Sequence, residues 1–391
     1  MKLQEGWKVM KLTDISENIS AGGTPAREKK EYWQEGTIPW LKIGDMKSAY
    51  VKGTEEKITK AGLDNSSAKL FPKGTLVYSI FATLGAIGIL EIDATTNQAI
   101  AGITPKKEII STKYLYYCLQ AERDKILAKK SHATQDNLNL TILRNHEIVV
   151  PPLPVQQEIV SILEKAEKAK EMRKEADELT KDFLKSVFME MFYTEEFEKV
   201  ELGKICEITS SKRIFQNEYV SNGIPFYRSK EVIELSKGEE ISIELFISKK
   251  RYREIKENYD IPEGGDILLT AVGTIGVSYV LPDDREFYFK DGNLLWIRNL
   301  SGVDPIYLSC FLDYSFKNKK GSMTSGSAYQ ALTIITLNKL QIPLPPLPLQ
   351  QKFASMVKEV EQIKEQQKHS KEQIDNLFNA LMQKAFKGKL M

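Results

Sequence analysis

Apolar side chains recur at alternating spacings of three and four residues in a long stretch that begins after Pro154 and contains no proline or glycine until Gly203. Proline is favoured in the first turn of a helix and disfavoured in its interior, so this stretch predicts one helix of ~37 residues, about 55 Å long. The mean spacing of 3.5 residues favours pairing with a second helix. The seam consists of Ile159, Ile162, Ala166, Ala169, Arg173, Ala176, Thr180, Phe183 and Val187.

The same pattern returns 194 residues later. The segment before it recurs at the same offset, since Pro151–Gln157 (PPLPVQQ) corresponds to Pro345–Gln351 (PPLPLQQ). Both seams have polar residues near the centre, and one of these positions corresponds directly, Arg173 in the first seam and Gln367 in the second. This correspondence predicts that the two helices pair with each other. The alternative is that each helix packs separately on its own domain. The second seam consists of Phe353, Met356, Val360, Ile363, Gln367, Ser370, Ile374, Leu377 and Leu381.

Shorter repeats connect the two remaining regions, so nearly the whole chain is two tandem copies of one unit. Ile38–Trp40 matches Ile224–Phe226, for example. Short apolar runs bounded by Gly and Pro, such as Leu76–Phe81, predict strands, and Thr112–Lys129 predicts a helix. The expected fold class is α+β, with two mixed domains each followed by a long helix. The expected boundaries are 1–150 for the first domain, 151–192 for a helical spacer with a PPLP hinge, 193–344 for the second domain and 345–391 for a second such spacer.

Composition narrows the class of protein. A chain of 391 residues favours more than one domain, and no apolar run approaches the ~20 residues of a membrane-spanning helix. Three scattered cysteines indicate a reduced, cytoplasmic protein without a structural zinc site. The net charge of +2 does not by itself indicate a nucleic-acid partner. The basic cluster Lys249–Arg253 is either a solvated surface or a local binding patch.

The motifs of common catalytic sites are missing from the sequence. It has no GxxxxGK[ST] phosphate loop, no GxSxG elbow and no HExxH helix. Its three histidines, His132, His146 and His369, form no metal-ligand cluster in the sequence. We therefore expect no metal, no cofactor and no catalytic activity in this chain alone. The alternative of a self-contained DNA methyltransferase or nuclease is disfavoured on the same grounds.

Several segments together resemble the specificity (S) subunit of type I restriction–modification enzymes. They are Trp7–Ile15 (WKVMKLTDI), Ile38–Asp45 (IPWLKIGD), the two PPLPxQQ segments and Leu381–Leu390 (LMQKAFKGKL). The resemblance covers essentially the whole chain, and the tandem arrangement of these motifs is highly specific. The second copy departs from the pattern at Ile224–Lys230, where Lys-Glu replaces Gly-Asp.

The resemblance implies two target-recognition domains that each read one half of a bipartite site in double-stranded DNA, separated by two antiparallel helices. It also implies two methyltransferase (modification) subunits, which methylate adenine using S-adenosylmethionine, and restriction subunits, which translocate and cut DNA with ATP. The competing hypothesis is a structural or interaction protein with two ligand-binding modules on a coiled-coil spacer.

Polar and basic residues beside the strand-like runs are the candidate DNA contacts, because such side chains bind base edges or phosphates. In the first copy they are Ser20, Gly22, Gly23, Thr24, Lys42, Ser79, Thr83, Asn97, Gln98, His132, Thr134 and Gln135. In the second copy they are Lys212, Arg213, Arg228, Lys230, Thr270, Thr274, Asn293, Ser325, Ser327, Tyr329 and Gln330.

The predicted helices also carry more apolar residues than one seam requires, which indicates a second covered surface. We expect that surface to bind the methyltransferase partner; the alternative is that it covers the ends of the recognition domains. The residues are Leu163, Leu184, Phe188, Val357, Phe378, Met382 and Phe386.

Overall fold

A computed structural model describes residues 4–129, 138–193, 196–282, 285–322 and 332–386. The chain divides into two compact units. Unit 1 comprises Met1–Glu175 and Lys368–Met391, and unit 2 comprises Ala176–Gln367. Each unit therefore contains one mixed domain, part of the helix that follows the first domain and part of the C-terminal helix.

Unit 1 has three sheets, of which the largest has five strands in the order β2-β10-β7-β8-β4. The others are β5-β3-β9-β6 and the pair β1-β11, which joins the start of the domain to the segment before the hinge. The strands are β1 Lys8–Lys11, β2 Ser16–Ala21, β3 Ile38–Leu41, β4 Tyr50–Val51, β5 Glu56–Ile58, β6 Leu70–Phe71, β7 Leu76–Ser79, β8 Ile87–Leu90, β9 Ala94–Thr96, β10 Ile100–Pro105 and β11 Glu147–Val150. The helices are α1 Lys60–Asp64, α2 Thr112–Ala121, α3 Arg123–Leu127 and α4 Leu140–Arg144, and α5 Leu153–Tyr193 begins here.

Unit 2 repeats most of this topology in three sheets, β13-β20-β17-β18, β14-β16-β15-β19 and β12-β21, although its described strands include no counterpart of β4 or β6. As β3 and β9 do in unit 1, β15 and β19 pair in parallel. The strands are β12 Lys199–Glu201, β13 Glu207–Thr209, β14 Tyr219–Val220, β15 Ile224–Tyr227, β16 Phe246–Ile247, β17 Ile267–Thr270, β18 Ser278–Val280, β19 Tyr288–Phe289, β20 Leu294–Arg298 and β21 Gln341–Pro343. The helices are α6 Ser229–Ser236, α7 Lys249–Asn258, α8 Pro305–Ser322, α9 Ile334–Asn338 and α10 Leu347–Phe386.

The two long helices begin at the leucine of each PPLP segment and contain 41 and 40 residues. In unit 1, Leu163 of α5 shares a hydrophobic cluster with Phe378 of α10. In unit 2, the rings of Phe188 and Phe353 lie 5.3 Å apart, and Gln367 Nε2 donates to Thr180 Oγ1 at 2.8 Å. Later residues of α10 thus contact earlier residues of α5, which confirms the predicted antiparallel pairing of the long helices. The separate sheets and helices of each unit confirm the predicted α+β class.

Candidate nucleic-acid interface

A loop with the same internal hydrogen bonds follows the central strand of each unit. In unit 1, the Ser79 hydroxyl donates to the carbonyl oxygen of Thr83, and Gly85 N donates to Ser79 O at 3.0 Å. In unit 2, the Thr270 hydroxyl donates to the carbonyl oxygen of Thr274, while Gly276 N donates to Thr270 O at 2.9 Å. Ser79 and Thr270 are both buried. These two candidate residues therefore stabilise the loop conformations through buried hydroxyl groups.

The tips of the two loops share a backbone shape but present different side chains. The residue at the turn has a left-handed φ in both, +57° at Ala82 and +77° at Gly273. The preceding side chains, Phe81 and Val272, are 36% and 40% exposed. An alanine rarely adopts a left-handed φ, so the anchoring hydrogen bonds must offset its strain. Each loop thus offers solvent a fixed apolar tip beside a threonine.

Several unit 1 candidates converge beside the base of this loop. Ile80 N donates to Ala99 O at 2.8 Å, which places the turn after β9 against the loop. Asn97 Oδ1 accepts from Ala99 N at 3.1 Å, and Thr24 Oγ1 donates to Gln98 Oε1 at 2.5 Å. Thr24, Asn97 and Gln98 are therefore brought to one edge of the unit, close to the loop.

Three further candidates at this edge have a structural role. A Cβ on Gly22 would lie 2.1 Å from Thr96 O, and one on Gly23 would lie 2.2 Å from Ser67 Oγ. Ser20 is buried. The glycines allow two backbone segments to approach closely, so these residues shape the edge, with Ser20 and Gly23 buried and Gly22 half-buried.

Arg123, at the start of α3, is not among the residues that the sequence pattern predicted as DNA contacts. Its Nη2 donates to Leu84 O at 3.1 Å, and its guanidinium lies against Gly85. The side chain is exposed and supplies a cation directly beside the loop of unit 1. In unit 2, Phe316 lies against Gly276. The two loops therefore also differ in their neighbours. The contact between Arg123 and Leu84 joins residues that are 39 positions apart, so no local sequence pattern predicts it.

The two candidate cations after the central IPW and IPF segments occupy the same structural position. Lys42 N donates to Asp45 Oδ2 at 2.8 Å, and Arg228 N donates to Glu231 Oε2 at 2.7 Å. A carboxylate three residues further on thus satisfies the backbone at both sites. The Lys-Glu substitution in the second copy keeps this bond, although a longer helix, α6, follows it.

Both of these cations are paired with carboxylates. Lys42 Nζ lies 2.7 Å from Glu56 Oε1, and Arg228 Nη2 lies 2.8 Å from Glu244 Oε2. Lys230 and Arg228 together lower the pKa of Glu244 to about 2. The carboxylates neutralise these cations in the free chain, so a base or phosphate must compete with an existing ion pair.

Unit 2 also contains an open cleft of about 540 Å³ between α6 and its loop. Lys230, Thr274 and Asn293, all predicted DNA contacts, line it together. Glu234 and Glu239 are also part of the lining, so the cleft carries charges of both signs. The structure therefore groups these three candidates in one concave surface.

The two remaining cations of unit 2 lie on the segment after β13. Lys212 N donates to Tyr288 Oη at 2.7 Å, and Arg213 pairs with Asp291 at 2.8 Å. The side chain of Lys212 lies over the ring of Tyr259, 4.8 Å from its centroid. Backbone pairing fixes this segment while both side chains stay exposed.

Seven predicted contacts lie outside the described residues: His132, Thr134, Gln135, Ser325, Ser327, Tyr329 and Gln330. The first described residues after those segments attach to the two loops. Leu138 N donates to Ile80 O at 3.1 Å, and Leu332 N donates to Ala271 O at 2.9 Å.

The residues predicted to bind a partner are packed inside the two units. Leu163, Phe378 and Met382 are buried in the core of unit 1, and Phe386 packs against that core. Phe188 and Val357 are buried in the core of unit 2, with Leu184 packed against it. Covering the domain ends therefore explains their apolar character, and a partner cannot reach the buried ones in this structure.

Other apolar positions on the long helices are open to solvent. Phe183 is 50% exposed and Leu377 is 57% exposed, and these two seam positions correspond at the 194-residue repeat. Met172, Leu179 and Ile363 are also exposed. The sequence pattern identified Phe183 and Leu377 as seam residues, but not as exposed ones.

Across the described ranges, no group of three or more His, Cys, Asp or Glu side chains is arranged to hold a metal ion. Among the same residues, no helix is both long and apolar enough to cross a membrane.

Comparison with known proteins identifies relatives for both halves of the chain. The family model described as "Type I restriction modification DNA specificity domain" matches residues 4–181 and again 194–376. The MjaIX specificity subunit of a type I restriction enzyme from Methanocaldococcus jannaschii is 28% identical over 391 residues, covering 91% of this chain and 87% of that protein. The EcoR124I/EcoR124II specificity subunit from Escherichia coli is 33% identical over 150 residues, 37% of each chain.

Solved structures with the same fold cover essentially the full length. A chain from a study of complex assembly and conformational transition in the type I R-M system aligns over 100% of both chains, with a TM-score of 0.69 and 18% identity. The type I restriction–modification S subunit from M. genitalium aligns over 99% of this chain and 98% of its own, with a TM-score of 0.55 and 16% identity.

Proposed function

The chain belongs to the family of type I restriction–modification DNA specificity domains, which it matches twice, and from this membership we propose that it recognises a bipartite sequence in double-stranded DNA. Each unit reads one half of that sequence. The chain acts as the specificity subunit of a complex and catalyses neither methylation nor cleavage itself.

The two hydroxyl-anchored loops carry this proposal. The same hydrogen bonds hold both loops, yet unit 1 presents Phe81-Ala82-Thr83 and unit 2 presents Val272-Gly273-Thr274. A common frame with different exposed side chains suits two readers of different half-sites. The major groove distinguishes all four base pairs, and apolar and hydroxyl groups both contribute to that discrimination.

The remaining candidates fit a division between reading and positioning. Thr24, Asn97 and Gln98 in unit 1, and Thr274 and Asn293 in unit 2, supply amides and hydroxyls for base edges. Arg123, Lys212 and Arg213 supply cations for phosphates or for guanine.

The partners in this proposal are two methyltransferase subunits and the restriction subunits, in the cytoplasm. A docking position for the methyltransferases is one exposed apolar side chain on the helix pair of each unit, Phe183 in unit 2 and Leu377 in unit 1. Their equivalence in the repeat supports two copies of one partner, one for each unit.

Mapping of methylated adenines in cells that express the chain with modification subunits tests the function. We expect one bipartite motif, and we expect replacement of 81–83 by the 272–274 sequence to alter only one half of it. Loss of methylation at every site would show misfolding, which thermal unfolding of the variant detects independently. A motif without two separated halves, or a swap that leaves both halves unchanged, would overturn the proposal.

A further inference from the structure

Helix α7 of unit 2, Lys249–Asn258, has a strongly basic surface. Its sequence KKRYREIKEN contains five basic residues and two acidic ones. Tyr252 and Ile255 are buried and pack in a cluster with Phe226 and Ile247. These contacts fix which side of the helix faces the domain and leave the opposite side in solvent.

Four basic side chains lie on the solvent side. Lys249, Lys250, Arg253 and Lys256 are all exposed. Lys249, Arg253 and Lys256 are spaced by four and three residues, so they form one row along the helix. We call these four residues the α7 basic face.

The α7 basic face differs in its pairing from Lys42, Arg213, Arg228 and Lys230, which all lie within ion-pair distance of a carboxylate. Within the ranges that the structure describes, none of its four side chains forms an ion pair or a side-chain hydrogen bond. The fifth basic residue, Arg251, pairs with Glu218 at 2.8 Å and with Glu254 at 3.5 Å. The two carboxylates on α7 are those of Glu254, which pairs with Arg251, and Glu257.

Among the residues of unit 1 that the structure describes, there is no equivalent of this face. The corresponding helix is α1, which follows β5 as α7 follows β16, and Thr59 caps it as Ser248 caps α7. However, α1 has only five residues, and its single lysine, Lys60, pairs with Asp64. The basic face is therefore an addition specific to unit 2.

The α7 helix leads directly to the predicted DNA-contact segment. Tyr259 follows its last residue, and Lys212 lies over the Tyr259 ring. The exposed side chain of Lys212 therefore adds a cation beside the end of α7.

We propose that the α7 basic face binds the phosphate backbone of DNA beside the half-site read by unit 2. This inference rests on the proposed function, since it requires DNA to lie against unit 2. Exposed, unpaired ammonium and guanidinium groups in a row match successive phosphates, which carry charge but no sequence information. The contact adds affinity and salt dependence without adding specificity.

The test is the salt dependence of DNA binding by the full-length chain, measured by fluorescence anisotropy between 50 and 200 mM KCl. The variant replaces Lys249, Lys250, Arg253 and Lys256 with glutamine, which keeps helix propensity. The slope of log K against log salt is negative, and each lost phosphate contact makes it less steep by about 0.9. If the three residues of the row, Lys249, Arg253 and Lys256, each contact one phosphate, their loss reduces the fall in affinity between 50 and 200 mM KCl by roughly 40-fold.

Two control variants separate local contacts from net charge and from side-chain identity. The first replaces four exposed lysines elsewhere in unit 2 with glutamine; they are Lys199, Lys204, Lys339 and Lys352. It should keep the wild-type slope. The second replaces the three α7 lysines with arginine and should also keep it.

An unchanged slope in the α7 variant, or an equal fall in the four-lysine control, overturns the inference while leaving the proposed function intact. Loss of a protein partner with unchanged DNA binding also overturns it, and assigns the face to an acidic protein surface. If neither the wild-type chain nor its full complex prefers the bipartite motif that methylation mapping identifies, the proposed function fails as well. The melting temperature of each variant checks that it is folded.

Discussion

Gln156 and Gln350 make equivalent hydrogen bonds at the starts of the two long helices. Each Oε1 accepts from a backbone N–H at 2.8 Å, that of Ser111 before α2 and that of Asp304 before α8. Each Nε2 donates to two backbone carbonyls, one of them in the first proline of its own PPLP segment. Both side chains are fully buried. These amides fasten each long helix to the domain before it.

Replacing Gln156 with leucine should lower the free energy of unfolding by about 3 kcal/mol, because one buried N–H and two carbonyls lose their partner. Urea unfolding followed by tryptophan fluorescence measures the change. The matched control is Gln157→Leu, an adjacent exposed position, for which we expect a change within about 0.5 kcal/mol. Equal destabilisation by the two substitutions would contradict this role for Gln156.

The repeat and the heptad pattern correctly predicted two tandem units and two paired helices. The start of each helix could be read from the PPLP segments, because proline has strong local preferences. The pattern also located the polar layer in which Thr180 bonds to Gln367. It did not distinguish Gln156 from Gln157, since burial there depends on the position of α2, which is distant in sequence.

Other parts of the site depend on contacts that no local pattern encodes. The pairing of Lys42 with Glu56 arises because β3 and β5 are antiparallel neighbours. A heptad pattern shows that a position such as Phe188 is apolar, but it does not show what covers it. Here the domain core covers it.

Removal of the Glu56 carboxylate should have a small, pH-dependent effect on stability. Arg27 and Lys42 lower the pKa of Glu56 below its ordinary value of 4.5. The ion pairs therefore stabilise the fold above that ordinary pKa and are lost as the pH falls through the lower, folded value. Since the group is partly exposed, Glu56→Gln should cost less than about 1 kcal/mol at pH 7.

Urea unfolding of wild type and Glu56→Gln between pH 3 and pH 7 measures this effect. The difference between the two proteins should shrink as the pH falls below 4.5. Glu55→Gln is the control and should change stability less, because Glu55 is more exposed and lies 3.4 Å from Lys42. A difference that grows towards low pH would contradict the ion-pair assignment.

Phe81 should contribute to the specificity of only one half-site. Its side chain is exposed at the tip of an anchored loop, where it can pack against a thymine methyl group or a base edge. Phe81→Ala should relax one position by on the order of 1 kcal/mol while leaving stability nearly unchanged. Selection from libraries with randomised half-sites measures the preference at each position. The matched variant Val272→Ala should affect the other half, and an effect of both variants on the same half would contradict the assignment.

Phe183 and Leu377 should each be needed for one bound methyltransferase subunit. An aspartate at either position places a charge in the middle of an apolar contact, which should weaken that contact by about 2 kcal/mol or more. We expect each single variant to co-purify with one partner copy and the double variant with none, as measured by native mass spectrometry. Lys185→Asp is the control, since it introduces the same side chain at an exposed position of α5 that is already polar. Phe188→Asp should behave differently from all of these, because it places a carboxylate inside the core of unit 2 and should unfold that unit. Full partner stoichiometry in the Phe183→Asp, Leu377→Asp double variant would show that the methyltransferases bind elsewhere on the chain.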